Sequence, residues 1–171
     1  MHTSFIITFI GDDRPGLVEQ LSAAIEQCGG NWHESRLAQL EGKFAGLVHV
    51  SLPQTGCRAL EDAVARLSAE GLSVTMTPTG EAAAPGGARS VCLSVIGPDR
   101  PGIVREVSRA LAQRQINVVE MDSAVSSAPM SAEMIFSARI EAQIPDSADL
   151  AELQENLEEI ANNMTLEIDL E

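Results

Sequence analysis

Two copies of one polar turn are the stretches of this chain best suited to bind a small molecule. Residues 11–18 read GDDRPGLV and residues 97–104 read GPDRPGIV, each between an apolar, β-prone run and a helical pattern. Proline presets a helical φ, so Pro15 and Pro101 are predicted at the first position of a helix. The glycine that follows leaves backbone N–H groups uncovered, and such groups attract a carboxylate. The turn therefore predicts either a carboxylate-binding helix N-terminus or a plain capped turn without a ligand.

The charged residues of the turn have structural roles that need no catalysis. Asp13 and Asp99 lie just before the predicted helices and are expected to cap them or to pair with Arg14 and Arg100. Arg14 and Arg100 are expected to be extended, because a following proline disfavours helical geometry. The chain has no nucleophile elbow, phosphate-binding loop or dinucleotide-binding glycine motif, and neither turn contains a histidine. Acid–base chemistry by these aspartates is the less economical interpretation, so we predict a protein that is not an enzyme and has no catalytic residues.

The similarity between the two turns extends along the chain at a constant offset of 86 residues. Matching pairs are Val18 and Val104, Ser22 and Ser108, Ala24 and Ala110, Gln27 and Gln113, Asn31 and Asn117, and Glu34 and Glu120. This internal duplication predicts two small domains, at residues 1–79 and 90–171. Residues 80–89 between them are rich in Gly, Ala and Pro, which is typical of a linker.

Hydrophobic periodicity predicts the order βαββαβ in each half. Strands are expected at 4–10, 31–40, 43–52 and 72–77, with helices at 17–28 and 60–67 and a tight turn at Glu41-Gly42. The second half repeats this order, with a looser connection at 126–131. The predicted fold class is α+β, with two ferredoxin-like domains in tandem, each a four-stranded antiparallel sheet with two helices on one face. The uncovered sheet faces favour packing of the repeats on each other, and a homodimer is a further way to cover them.

The charge balance argues against direct contact with nucleic acid. The 171 residues include 11 Lys and Arg against 25 Asp and Glu, a net charge of −14, and residues 146–171 hold nine acidic and no basic side chains. A phosphate backbone needs several Lys or Arg contacts, and no helix-turn-helix segment remains outside the repeats. Because no membrane span or signal peptide is evident, we expect a cytoplasmic protein.

The cysteines and histidines do not form a recognisable metal-binding pattern. Cys28, Cys57 and Cys92 are widely spaced and are interpreted as thiols in a reducing compartment. His33 and His49 come close if their strands pair, but the sequence supplies no third ligand. We therefore interpret them as ordinary strand histidines and predict no metal and no cofactor.

A basic stripe on the predicted third helix has two interpretations. Arg105 and Arg109 lie one helical turn apart, with Arg100 and Arg114 nearby. The stripe either binds an acidic partner or faces the glutamates of the last helix, and the second interpretation is favoured. Those glutamates are Glu152, Glu155, Glu158 and Glu159.

A βαββαβ unit with D-R-P-G after its first strand, an apolar helix and Asn at the start of its second strand resembles the ACT domain, a regulatory module that commonly binds amino acids between domains. Two such units, with CGGNWHESRLAQLEGKF at residues 28–44, resemble the glycine cleavage system transcriptional repressor family. The resemblance implies ligand-binding roles for Gly11, Asp13, Arg14, Gly16, Asn31, Gly97, Asp99, Arg100, Gly102 and Asn117. Pro98 in place of Asp12, and Gln115-Ile116 in place of Gly29-Gly30, allow the two sites to be unequal.

The resemblance also implies a function. It favours an amino-acid-responsive regulator, with glycine or a similar small amino acid as ligand, that represses glycine cleavage genes. Together with the acidic charge, it favours action through a DNA-binding protein partner rather than direct contact with DNA. The alternative is a free-standing ACT sensor that binds and adjusts a metabolic enzyme.

Overall fold

The computed structural model describes residues 2–80, 88–128 and 133–170. The chain divides into two compact units, Met1–Ala83 and Ala84–Glu171. Most of the predicted linker, residues 81–87, and the end of the predicted 126–131 connection lie outside the described residues. The packing of the two repeats against each other stays a prediction.

The first unit has the predicted βαββαβ order. Its elements are β1 (His2–Asp12), α1 (Leu17–Gln27), β2 (Asn31–Leu40), β3 (Lys43–Pro53), α2 (Cys57–Ala69) and β4 (Ser73–Pro78). The strands form one antiparallel sheet in the order β2-β3-β1-β4. Glu41 and Gly42 join β2 to β3 with φ values of 47° and 74°. Two successive positive φ values are typical of a type I′ hairpin turn, so the predicted tight turn is confirmed.

The second unit repeats this architecture. Its elements are β5 (Ala88–Pro98), α3 (Ile103–Gln113), β6 (Asn117–Ser127), β7 (Met134–Pro145), α4 (Leu150–Met164) and β8 (Glu167–Leu170). The antiparallel sheet has the order β6-β7-β5-β8, so each first strand lies at the centre of its sheet. The predicted α+β fold class, with two ferredoxin-like units in tandem, is confirmed.

Each unit has its own core between its sheet and its two helices. Phe5, Ile7 and Phe9 alternate along β1 and are buried, as expected for a strand with one covered face. Leu17, Leu21 and Ile25 recur every fourth residue of α1 and pack into the same cluster. Leu93 and Val95 of β5 belong to the corresponding cluster of the second unit.

The two helix starts differ from the prediction. α1 begins at Leu17 and α3 at Ile103, so neither proline occupies the first helical position. Gly16 has φ 92° and ψ −1°, and Gly102 has φ 100° and ψ −8°. These angles match the third residue of a type II turn, in which proline takes the second position. The Pro-Gly pair therefore completes a turn before the helix begins.

The predicted side-chain caps are also wrong. The N-cap residues of α1 and α3 are the two glycines, and neither helix has a side-chain cap hydrogen bond. The backbone N–H of Asp13 instead donates to the carbonyl oxygen of Gly42 at 2.9 Å. The backbone N–H of Asp99 donates to the carbonyl oxygen of Met134 at 2.8 Å. Both aspartates thereby anchor the turn to the neighbouring hairpin through the main chain. This leaves their carboxylates without a capping role.

Candidate ligand-binding turns

Each repeated turn borders a cavity at the start of the following helix. The first cavity has a volume of about 390 Å³ and is lined by Asp13, Arg14, Gly16, Leu17, Val18, Glu19 and Phe44. The second has about 540 Å³ and is lined by Asp99, Arg100, Gly102, Ile103, Val104, Arg105, Ser108, Val125 and Phe136. The Asp, Arg and Gly of each D-R-P-G turn therefore lie at one cavity in each unit.

A phenylalanine on the third strand of each sheet was not foreseen from the sequence. Phe44 pairs with Gly11 across β3 and β1, and Phe136 pairs with Gly97 across β7 and β5. The two aromatic rings therefore occupy equivalent places and supply an apolar wall to equivalent cavities. They lie 92 positions apart rather than 86, because the second hairpin is longer. The signal in the sequence is the alternation of apolar and polar residues in each third strand, and aligning the two strands by it would have matched the two phenylalanines.

The helix starts at both cavities lack the side-chain cap that another helix of the chain has. At α4 the carboxylate of Asp149 accepts hydrogen bonds from the backbone N–H groups of Ala151, at 2.9 Å, and Glu152, at 3.3 Å. The N-cap residues of α1 and α3 are glycines, and neither helix has such a side-chain acceptor. The first N–H groups of a helix have no partner within the helix, so an external anion can accept from them.

The four glycines of the two motifs have two different roles. A Cβ atom at Gly16 or Gly102 would meet nothing within 4 Å, so the positive φ, and not lack of space, favours glycine there. A Cβ at Gly11 would lie 2.8 Å from Leu72 Cδ1, and one at Gly97 would lie 2.8 Å from a backbone carbonyl oxygen. Gly11 and Gly97 thus allow close approach of the chain entering the last strand, and neither lines the cavity beside its own turn.

Asn31 and Asn117 do not join the turns within their own units. Asn31 pairs with Ser51, which pairs with Ser4 of β1, whereas the turn follows Gly11. The seven residue-to-residue steps from Ser4 to Gly11 span about 23 Å of strand. Asn117 is placed in the same way, at the opposite end of the second sheet from Gly97. The asparagines therefore lie too far from the turns to contact the same small ligand in one unit.

The two cavities differ in charge. Glu19 in the first unit corresponds to Arg105 in the second. Arg14 Nη2 donates a hydrogen bond to Gln20 Oε1 at 3.2 Å, whereas the residue matching Gln20 in the second unit is Glu106. The second cavity is thus lined by two arginines and one aspartate, and the first by one arginine and two carboxylates. An anion is favoured at the second cavity.

Beside the first turn, an ion pair has no counterpart in the second. Lys43 Nζ donates to Asp12 Oδ1 between paired positions of β3 and β1. This hydrogen bond and the charge of Lys43 lower the pKa of the Asp12 carboxyl below its ordinary value. In the second unit the paired residues are Pro98 and Ile135, which cannot form an ion pair. The difference at Pro98 therefore makes the second turn less polar.

The arginines of the basic stripe lie in three different environments. Arg114 Nη2 donates to Glu152 Oε1 at 3.1 Å and to the Glu152 carbonyl oxygen at 3.2 Å, while Nη1 donates to the Ala110 carbonyl at 3.3 Å. For Arg114, the predicted contact with the last helix is confirmed. Arg109 lines a separate cleft of about 240 Å³ between α3 and α4, together with Glu159. Arg100 and Arg105 instead line the turn cavity.

The cysteines are unpaired thiols. Burial raises the pKa of the Cys28 thiol, and the nearby positive charge of Arg66 partly opposes this effect. Within residues 2–80, 88–128 and 133–170, no group of three or more His, Cys, Asp or Glu side chains is arranged to hold a metal ion. Every helix in the same part of the chain falls short of the length and hydrophobicity needed to cross a membrane.

Comparison with known proteins identifies the architecture. Residues 3–77 and residues 93–158 each match a family profile described as the ACT domain. The chain belongs to the ACT domain family. It contains two ACT domains in tandem, and the resemblance seen in the sequence is confirmed.

Relatives of this tandem ACT protein include regulators. It is 27% identical over 151 residues to the glycine cleavage system transcriptional repressor of Escherichia coli (strain K12), covering 88% of this chain and 80% of the relative. The match to the repressor of Shigella flexneri has the same identity and coverage. Both relatives are described as transcriptional repressors, which supports a regulatory ACT protein.

Solved structures share the full-length fold. A crystal structure of an unknown protein from Galdieria sulphuraria superposes with a TM-score of 0.85 at 30% identity, covering 100% of this chain and 98% of that one. A protein provisionally assigned as a glycine cleavage system transcriptional repressor superposes with a TM-score of 0.73 at 23% identity, covering 100% and 97%. At that identity the second likeness concerns the fold alone.

Proposed function

We propose that this tandem ACT protein is an amino-acid-responsive regulator that represses glycine cleavage genes through a protein partner. The observation that carries the proposal is the duplicated cavity, in which an aspartate, an arginine and an uncapped helix start face the same space. The printed function of the Escherichia coli relative supports the regulatory part. A cytoplasmic location is part of this proposal, because the similar repressors come from bacteria, whose genes lie in the cytoplasm.

The second cavity offers each functional group of an amino acid a suitable partner. The ligand carboxylate would accept hydrogen bonds from the first amides of α3 and from the guanidinium of Arg100. The carboxylate of Asp99 would accept from the ligand ammonium group. Phe136 and Val125 would border a small apolar side chain. Gly97 and Asn117 would act on the fold rather than on the ligand, since neither lines this cavity.

The size of the ligand limits the affinity. Glycine has about five non-hydrogen atoms, and the ceiling of about −1.5 kcal/mol per atom gives about −7.5 kcal/mol, or a Kd of a few micromolar at best. Binding in the micromolar to millimolar range suits a sensor of an abundant metabolite. To alter regulation, the ligand must bind one conformation of the protein more tightly than another.

Calorimetry with the full chain tests the ligand site. Glycine and a panel of other amino acids are titrated into the parent, Arg100→Gln and the matched control Arg14→Gln. We expect at least tenfold weaker binding for Arg100→Gln and little change for Arg14→Gln, whose guanidinium already binds Gln20. Arg105→Glu, which gives the second turn the charge pattern of the first, is expected to weaken binding as well. Parent affinity in Arg100→Gln, or no heat at millimolar ligand, would contradict the ligand proposal. Equal losses for Arg100→Gln and Arg14→Gln would contradict the preference for the second cavity.

Action through a partner is supported by the charge of the chain. With 25 acidic and 11 basic residues, the protein is poorly suited to neutralise DNA phosphates. A separate DNA-binding regulator would supply that contact. The alternative, an ACT sensor that adjusts a metabolic enzyme, has the same support from charge, because it also requires no DNA contact.

Affinity capture from cells separates these two functions. The tagged full chain is used as bait with and without glycine, and Arg100→Gln serves as the ligand-insensitive control. Recovery of a DNA-binding regulator whose yield changes with glycine supports the first function, and recovery of a metabolic enzyme supports the alternative. Direct, salt-sensitive binding of the purified chain to a glycine cleavage promoter would overturn the partner-mediated mechanism.

A further inference from the structure

Two histidines from neighbouring strands lie side by side on the helix-free face of the first sheet. The ring centroids of His33 in β2 and His49 in β3 are 5.0 Å apart, and the ring planes are inclined by 34°. His49 lies between Val48 and Val50, which are fully buried on the helix-covered face, so its side chain projects from the opposite face. The expectation that these histidines approach when their strands pair is therefore confirmed.

The separation of the rings suits two ligands of one metal ion. A Zn–N bond of about 2.0–2.1 Å places the ring centroid about 3.2 Å from the metal. For N–metal–N angles between square-planar and tetrahedral values, two such centroids lie about 4.5–5.2 Å apart. The observed 5.0 Å falls within this range. No large strand movement is then needed to bring both rings to one ion.

A hydroxyl group next to the pair provides an independent reason to consider a metal. His33 Nε2 lies 2.7 Å from Ser51 Oγ. Histidine ligands commonly donate the second ring N–H to an oxygen, which fixes the tautomer and the ring orientation. With Nε2–H donating to Ser51, the lone pair of Nδ1 is the one left for a metal. His33 also lies in a β-bulge between Trp32 and Ser35, a device that redirects a side chain.

We infer that His33 and His49 form an open, two-histidine site for a divalent transition metal ion such as Ni²⁺, Cu²⁺ or Zn²⁺. Imidazole suits all three ions. Among the described residues no third His, Cys, Asp or Glu completes the group, so water fills the other positions. The bound ion would join β2 to β3 near the bulge. The site is independent of the repeated turns and of the function proposed for them.

Titration of NiCl₂ into the full chain by calorimetry tests the site. The variants are His33→Gln and His49→Gln, and His2→Gln is the matched control on a different strand. Each site variant should bind at least tenfold more weakly, while His2→Gln should bind as the parent does. The affinity of the double variant for Ni²⁺ should be no lower than that of the weaker-binding single variant, because the one imidazole left in a single variant cannot chelate the ion. Ser51→Ala, which retains both imidazoles, should bind about 10–100-fold more weakly.

A measurement on the unsubstituted chain keeps the test independent of variant folding. Substoichiometric paramagnetic Ni²⁺ should broaden the imidazole NMR signals of His33 and His49 before those of His2. Broadening of His2 first would overturn the inference. So would parent affinity in the double variant, or a loss in His2→Gln as large as in the site variants.

Discussion

Replacement of the turn glycines tests whether backbone conformation or space determines the sequence of the repeated turn. Gly16 and Gly102 have φ values of 92° and 100°, and a Cβ atom at either position would meet nothing within 4 Å. Gly16→Ala and Gly102→Ala should therefore cost only the strain of a left-handed L-residue, about 1–2 kcal/mol. For a unit of this size that corresponds to a decrease in Tm of about 4–16 °C.

Differential scanning calorimetry and urea denaturation measure this loss, and two further variants separate its causes. Gly16→Asn should lose less stability than Gly16→Ala, because asparagine tolerates positive φ better. Gly80→Ala is the control, since its Cβ also meets open space but its φ is not positive. It should be neutral or slightly stabilising, because alanine restricts the unfolded chain. Unchanged stability in the two turn variants, or an asparagine variant as unstable as the alanine variant, would refute the conformational explanation.

Three further substitutions test other parts of the structure. Asp149→Ala removes the side-chain cap of α4 and should lower the free energy of unfolding in urea by about 0.5–2 kcal/mol; an unchanged value would show that the cap is dispensable. Leu153→Ala deletes a fully buried side chain and should cost about 2–5 kcal/mol by the same assay, with a loss below 1 kcal/mol contradicting the packing. Lys43→Met should raise the pKa of the Asp12 carboxyl toward its ordinary value of 3.8, as followed by NMR titration. Because the folded-state pKa is lowered, the contribution of this ion pair to stability is complete above pH 3.8 and is lost as the pH falls through the lowered pKa.

Much of the fold could be predicted because its signals are local. Alternating apolar residues in β1, the period of α1 and the Glu41-Gly42 turn each depend on a few neighbouring residues, and the structure confirms all three. The duplication then extends the same order to the second unit. The error at Pro15 arose because a Pro-Gly pair fits both a helix start and a type II turn, and only the φ of Gly16 distinguishes them.

The candidate site was harder to predict because its members come from separate elements. Asn31 follows the turn by one helix in the sequence, but the 11 residues of α1 carry the chain about 16 Å away, to the other end of the sheet. Phe44 and Phe136 were missed for the opposite reason: strand pairing brings them to the turns from distant positions. Their equivalence is hidden by the different lengths of the two hairpins.

The Arg114 side chain, which is only 14% exposed, couples the two helices of the second unit mechanically. Its hydrogen bonds to Ala110 and Glu152 join the last turn of α3 to the first turn of α4. Its Nε is buried and has no hydrogen-bond partner among the described residues. The matching residue of the first unit is Cys28, which cannot span two helices in this way. If a ligand binds the second cavity as proposed, a shift of α3 would reach α4 through this side chain, a link that Cys28 does not supply in the first unit.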